Sequence, residues 1–153
     1  RLLYDLVALQ HPYDFARQLQ LLRALEGTPA MHLQLKLERA ILLHQTGSHP
    51  TAEHEFRDIR RELQDSEAII DVPKRLSWFL KTGSADRAVC DGKVVQPPGN
   101  WRRHAMRVVQ LGNTIIGFDP LDFGVDRMPL GRVMKCVVGF NVRGPYARPV
   151  PNV

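Results

Sequence analysis

The run Gly131-Arg132-Val133-Met134-Lys135-Cys136-Val137-Val138-Gly139-Phe140-Asn141-Val142-Arg143-Gly144-Pro145-Tyr146-Ala147-Arg148-Pro149-Val150 begins as a basic, β-rich segment. Val133 and Val137 are apolar with Lys135 between them, which predicts period-two alternation over Arg132–Val142. Arg143-Gly144-Pro145 then predicts a turn, because Gly admits positive φ and Pro fixes φ near −65°. The chain resumes with Tyr146 and Ala147. Two strands joined in this way would form the closing hairpin of a small barrel.

Working back from that hairpin, the chain keeps period two as far as Arg87. Arg87–Gln96 is expected to be a first strand, followed by a loop through Pro97-Pro98-Gly99-Asn100. Arg103–Leu111 is a second strand, Gly112-Asn113 a tight turn, and Thr114–Asp119 a third strand. A loop through Asp122, Gly124 and Pro129 leads to the closing pair. Five strands with Gly-rich turns suit an OB-type barrel.

The ordered set Gly131, Val133, Val137, Phe140, Arg143-Gly144-Pro145, Ala147 and Val150 resembles the last two strands of a cold-shock domain. The resemblance covers about twenty residues and implies a five-stranded barrel that binds single-stranded nucleic acid. In that family the third strand presents a stacking aromatic followed by a histidine. Here Phe118 keeps the aromatic, and Asp119 replaces the histidine. The family's aromatic-rich second strand is replaced by Met106, Val108 and Val109.

Before Arg87 the apolar period is helical. Leu2, Leu3, Leu6, Val7 and Leu9 mark a first helix, interrupted at His11-Pro12. Asp14–Leu25 is a second, with Phe15, Ala16, Leu19, Leu22 and Leu25 expected inward and Gly27-Thr28-Pro29 ending it. Met31–Gln45 is a third, and Pro50–Leu63 a fourth striped by Ala52, Phe56, Ile59 and Leu63. Pro73–Lys81 suits a short helix, with Pro near its first turn and Gly83 beyond its end. Leu76, Phe79 and Leu80 share its face, while Trp78 lies off it, either docking on a neighbour or capping a core. Residues 30–64 resemble a tetratricopeptide helical hairpin on Ala40, Gly47, Ala52 and Phe56. Ala16 and Ala52, with an offset of 36, suggest a weaker preceding repeat.

The expected fold class is therefore α+β: antiparallel helical hairpins (residues 1–66), a connector with a short helix (67–85) and a small five-stranded barrel (86–153). The chain opens at Arg1 without Met, which predicts a piece of something longer, and no secretory signal or membrane span is visible. The two cysteines, Cys90 and Cys136, suggest a reducing, cytoplasmic setting and leave a disulfide between them open.

The net charge is +5 and unevenly placed. Residues 1–66 carry 8 basic and 9 acidic groups, residues 67–85 carry 3 and 2, and residues 86–153 carry 10 and 5. The excess on the barrel favours a polyanionic partner through phosphate neutralisation. Single-strand binding needs a basic track and flat side chains for stacking. Lys93, Arg102, Arg103, Arg107, Arg143 and Arg148 are candidates for the track. Trp101, Phe118, Phe123 and Tyr146 are candidates for the platform. Phe118 and Phe140 suit a core equally well, and Tyr146 either stacks or caps the barrel. Arg103 and Arg107 are expected on one strand face.

Catalysis finds little support: no Gly-rich phosphate loop and no Gly-x-Ser-x-Gly elbow occurs. His44, His49 and His54 straddle the Gly47–Pro50 turn, so a shared metal is not expected. Cys90, His104 and Cys136 lack ligand spacing. Asp119 and Asp122 read as turn formers rather than an acid/base couple. The expected function is a non-enzymatic module with no cofactor, taking single-stranded nucleic acid, RNA before DNA, on the barrel and a protein partner on the helical hairpins. The alternative is a protein–protein adaptor whose barrel binds no nucleic acid.

Overall fold

The computed structural model describes residues 1–29, 31–98 and 107–151. Helices α1 (Leu2–Gln10), α2 (Phe15–Arg23), α3 (Leu33–Gln45) and α4 (His49–Gln64) come first, followed by a 3-10 turn at Lys74–Leu76. Strands β1 (Cys90–Val95), β2 (Arg107–Leu111), β3 (Thr114–Phe118), β4 (Val133–Asn141) and β5 (Gly144–Pro149) follow, with a second 3-10 turn at Pro120–Phe123. The class is α+β, with four N-terminal helices ahead of a closed, mixed five-stranded barrel. Two compact units result: Arg1–Asp86 with Phe140–Gly144, and Arg87–Gly139 with Pro145–Val153. Among the described residues no helix is long and apolar enough to cross a membrane.

In the helical unit, the Asp14 side chain caps α2 by accepting from Arg17 N at 3.2 Å. Gly47, at φ 90°, lets the chain reverse after α3, and Ser48 N donates back to Leu43 O. Ala40 on α3 and Ala52 on α4 are fully buried, so these helices approach closely, and Phe56 is buried beside them. The expected inward Ala16 is instead exposed. On α1 the apolar residues run round the whole helix, so periodicity alone could not choose a face. Tyr4, Val7 and Ala8 are buried, leaving Leu2, Leu3, Leu6 and Leu9 exposed.

Arg75, from the 3-10 turn, ties three helices together. Its Nη1 donates to Gln18 Oε1 at 2.7 Å, and its Nη2 to Tyr4 OH at 2.8 Å and Glu38 Oε1 at 3.0 Å. Tyr4 OH donates to Glu38 Oε1 at 2.8 Å. Burial, followed by the Glu38 carboxylate, holds the Tyr4 phenol's pKa up, so it remains a donor. Tyr4, Gln18 and Glu38 are buried and each has a partner in this network, which is what makes such groups tolerable in a core.

The helix expected over Pro73–Lys81 shrinks to the Lys74–Leu76 turn. Backbone groups beyond it are taken by distant partners. Ser77 O accepts from Phe140 N at 2.9 Å, while the Gln45 amide donates to Trp78 O at 2.6 Å and accepts from Leu80 N at 3.2 Å. Ser77 itself is still αR, and those bonds take Trp78 and Leu80 out of the helical ladder.

Phe140 is the other departure. It lies in the helical unit's core, not among barrel side chains, with its ring 6.5 Å from that of Phe56 and 5.2 Å from that of His44. His44 and His49 also meet across the Gly47 turn, with ring centroids 4.3 Å apart, whereas His54 pairs with Asp58. Among the described residues no three His, Cys, Asp or Glu side chains gather as a metal site.

The barrel order is β1-β2-β3-β5-β4, closed by β4 on β1. All described pairings are antiparallel except β3 with β5, which is parallel. This connectivity is compatible with an OB-type barrel. Val94, Val109 and Ile116 stand opposite one another on β1, β2 and β3, and all three are buried. Beside them Gly92 leaves room for Val109 and Leu111: a Cβ there would stand 3.1 Å from Leu111 Cδ2. The turn expected at Arg143-Gly144-Pro145 falls one residue earlier, at Val142-Arg143, and Gly144 (φ 126°) opens β5.

Candidate nucleic-acid interface

From Pro145 onward β5 alternates. Pro145 and Ala147 are buried, Tyr146 is half-buried and Arg148 is exposed. Tyr146 and Arg148 therefore share the outward side of one strand. Glycines lie beside the tyrosine on both neighbouring strands. Gly117 of β3 is its register partner, and a Cβ on Gly139 of β4 would stand 2.7 Å from Tyr146 Cζ. The missing side chain at Gly139 leaves the space that the ring occupies. A flat ring on a strand, with a guanidinium two residues further on, can stack a base and hold the adjoining phosphate.

Lys93 is exposed on β1, opposite Gln110 of β2 and Val133 of β4. Arg107 is exposed at the first position of β2, opposite Phe118. Arg107 shares its alternation with Val109, whose side chain is interior, so it stands at the barrel's rim rather than on the outer wall with Lys93. Trp101, Arg102 and Arg103 lie outside the described residues, and so does the expected pairing of Arg103 with Arg107. His104 and Met106 lie there too.

Phe118 is fully buried, its ring edge-on to that of Phe123 at 5.7 Å. It fills the barrel and offers no face to a base. Phe123 is half-buried in the second 3-10 turn. Asp119 caps that turn by accepting from Leu121 N at 3.0 Å. Arg143 belongs with the helical unit, where its carbonyl accepts from Arg60 Nη1 at 2.6 Å and its N–H donates to Asn141 Oδ1 at 2.8 Å.

Arg87, Arg127, Arg132 and Lys135 are exposed as well, and nothing but charge marks them in the sequence. Arg132 is placed by the ladder: Val94 N donates to its carbonyl at 2.8 Å and Gly131 N donates to Val94 O at 2.8 Å, which sets Arg132 beside β1. Asp91 is paired with Lys135 at 3.1 Å, an exposed contact worth well under about 1 kcal/mol.

The geometry thus defines an α+β chain whose barrel wall carries one glycine-bedded aromatic with a basic neighbour. No protein-family model matches this chain, and no curated protein or solved structure matches it.

Proposed function

We propose that the chain is a non-enzymatic nucleic-acid-binding module that takes single-stranded RNA, or single-stranded DNA, on its barrel. The observation that carries this is Tyr146 resting on Gly139 beside Gly117, with Arg148 outward on the same strand. The charge excess of residues 86–153 and the cold-shock-like pattern of Gly131–Val150 support the same reading. Lys93, Arg107 and Arg148 supply backbone charge, Tyr146 a stacking face, and Phe123 a second partly exposed ring. The helical hairpins, tetratricopeptide-like in residues 30–64, hold a protein partner.

A second reading, a protein–protein adaptor, is favoured by one feature: the exposed Leu2, Leu3, Leu6 and Leu9 of α1. The two part on the barrel. Fluorescence anisotropy with labelled single-stranded oligonucleotides separates them. Tyr146→Ala should weaken binding by about 5- to 150-fold, the equivalent of one stacked base at about 1–3 kcal/mol. Affinity unchanged by that substitution would contradict the assigned face, and no binding by the native chain would leave the adaptor.

A further inference from the structure

Cys90 and Cys136 stand directly opposite one another on β1 and β4, the strands whose pairing closes the barrel. Residues opposite in an antiparallel pair carry their side chains on the same side, with Cα atoms about 4.5–5.5 Å apart. A disulfide bridges Cα separations of about 4.4–6.8 Å, so the register needs only a small adjustment to admit one. Both thiols are free. Cys136 is fully buried and Cys90 half-buried, so a dissolved reagent meets Cys90 first. No other cysteine competes.

We propose that Cys90 and Cys136 form a redox-responsive modification site, converted by a small-molecule disulfide of the glutathione type into an intramolecular bond that locks β1 to β4. The Cys90 thiolate attacks one sulfur of the reagent and releases one thiolate, leaving a mixed disulfide on Cys90. The Cys136 thiolate attacks the Cys90 sulfur and releases the second. Two protein thiols are oxidised by two electrons, one small disulfide is reduced to two thiols, and the two protein protons end on those leaving groups. Burial, then Asp91, raises the Cys90 pKa. Burial, then Cys90 and Asp91, pushes Cys136 up to about 11. The first attack is therefore slow at neutral pH, because the thiolate is the nucleophile. The second is intramolecular and pre-aligned by the ladder.

The test uses the whole reduced chain incubated with glutathione disulfide, then alkylated and read by intact and peptide mass spectrometry. The native chain should lose both alkylatable thiols together, retain no glutathione and yield a linked Cys90–Cys136 peptide that dithiothreitol releases. Its oxidised form should melt several degrees above the reduced one. Cys136→Ser should stop at a glutathione adduct on Cys90, and Cys90→Ser should stay unreacted until unfolded. A native chain that stops at the Cys90 adduct, links between chains, or keeps both thiols after prolonged exposure overturns the proposal. The native result decides even if a variant fails to fold.

Discussion

The ring of Tyr146 lies so close to Gly139 that a methyl group there would stand 2.7 Å from Cζ and 2.8 Å from the hydroxyl oxygen. Gly139→Ala must displace the ring, which is the far end of a flexible side chain, so the barrel should survive. The expected result is a several-fold loss of oligonucleotide affinity with a melting temperature within a few degrees of the native chain. Tyr146→Phe keeps the ring and should bind nearly as the native chain does. A Gly139→Ala protein with native affinity would show that the position of the ring does not matter.

Phe140 is only 3% exposed and stacks on Phe56 in the helical core. Truncation to Ala leaves a cavity there and should cost about 3–5 kcal/mol, read by urea unfolding followed at a helical circular-dichroism band. A loss below about 1 kcal/mol would place the side chain outside that core.

Acid should weaken the helical unit through His44. Burial, and then neighbouring His49, pulls its pKa from 6.5 to about 3, and burial lowers that of His49 as well. Between these values the unfolded chain binds a proton that the folded chain does not. Stability is therefore full above about pH 6.5 and falls as pH drops, by up to about 1.4 kcal/mol per unit for one such group. Urea midpoints from pH 7 to pH 4 check the slope. His44→Phe should flatten it, and an equally steep slope in that variant would assign the effect elsewhere.

Arg75→Leu removes the cation facing Glu38, whose side chain is 7% exposed, and leaves Tyr4 and Gln18 short of a partner. Because Arg75 itself is 24% exposed, water can partly replace it, so the expected loss is about 2 kcal/mol rather than the 3–5 of a fully buried pair. Adding Glu38→Gln to that variant should recover part of the loss, since it removes the stranded charge. A double-mutant cycle with no coupling would contradict the clamp.

What the sequence disclosed was local. Alternation around Val94, Val109 and Ile116 marked the strands, and Gly112-Asn113 marked the hairpin that closes at Leu111 and Thr114. Gly47 and the small residues Ala40 and Ala52 marked the packed helix pair. What stayed hidden depends on partners far along the chain. Trp78 and Leu80 leave helical geometry because Gln45 captures their backbone, and Phe140 joins helices that precede it by many residues. The exposed leucines of α1 could not be foreseen, since apolar residues run round that helix. Tyr146 stood out as an aromatic, but its glycine bed follows from the register of β3 and the approach of β4. The same holds for Cys90 facing Cys136.

Oligonucleotide affinity as a function of salt tests the central claim most directly. The native chain should bind at low salt and weaken along a straight line in log–log form, each phosphate contact contributing a slope of about −0.7 for a single strand. Arg107→Ala with Arg148→Ala should reduce affinity similarly for unrelated sequences and flatten the slope by about 1.4, the share of two contacts. A native chain with no affinity at low salt, or with affinity indifferent to salt, would contradict the account.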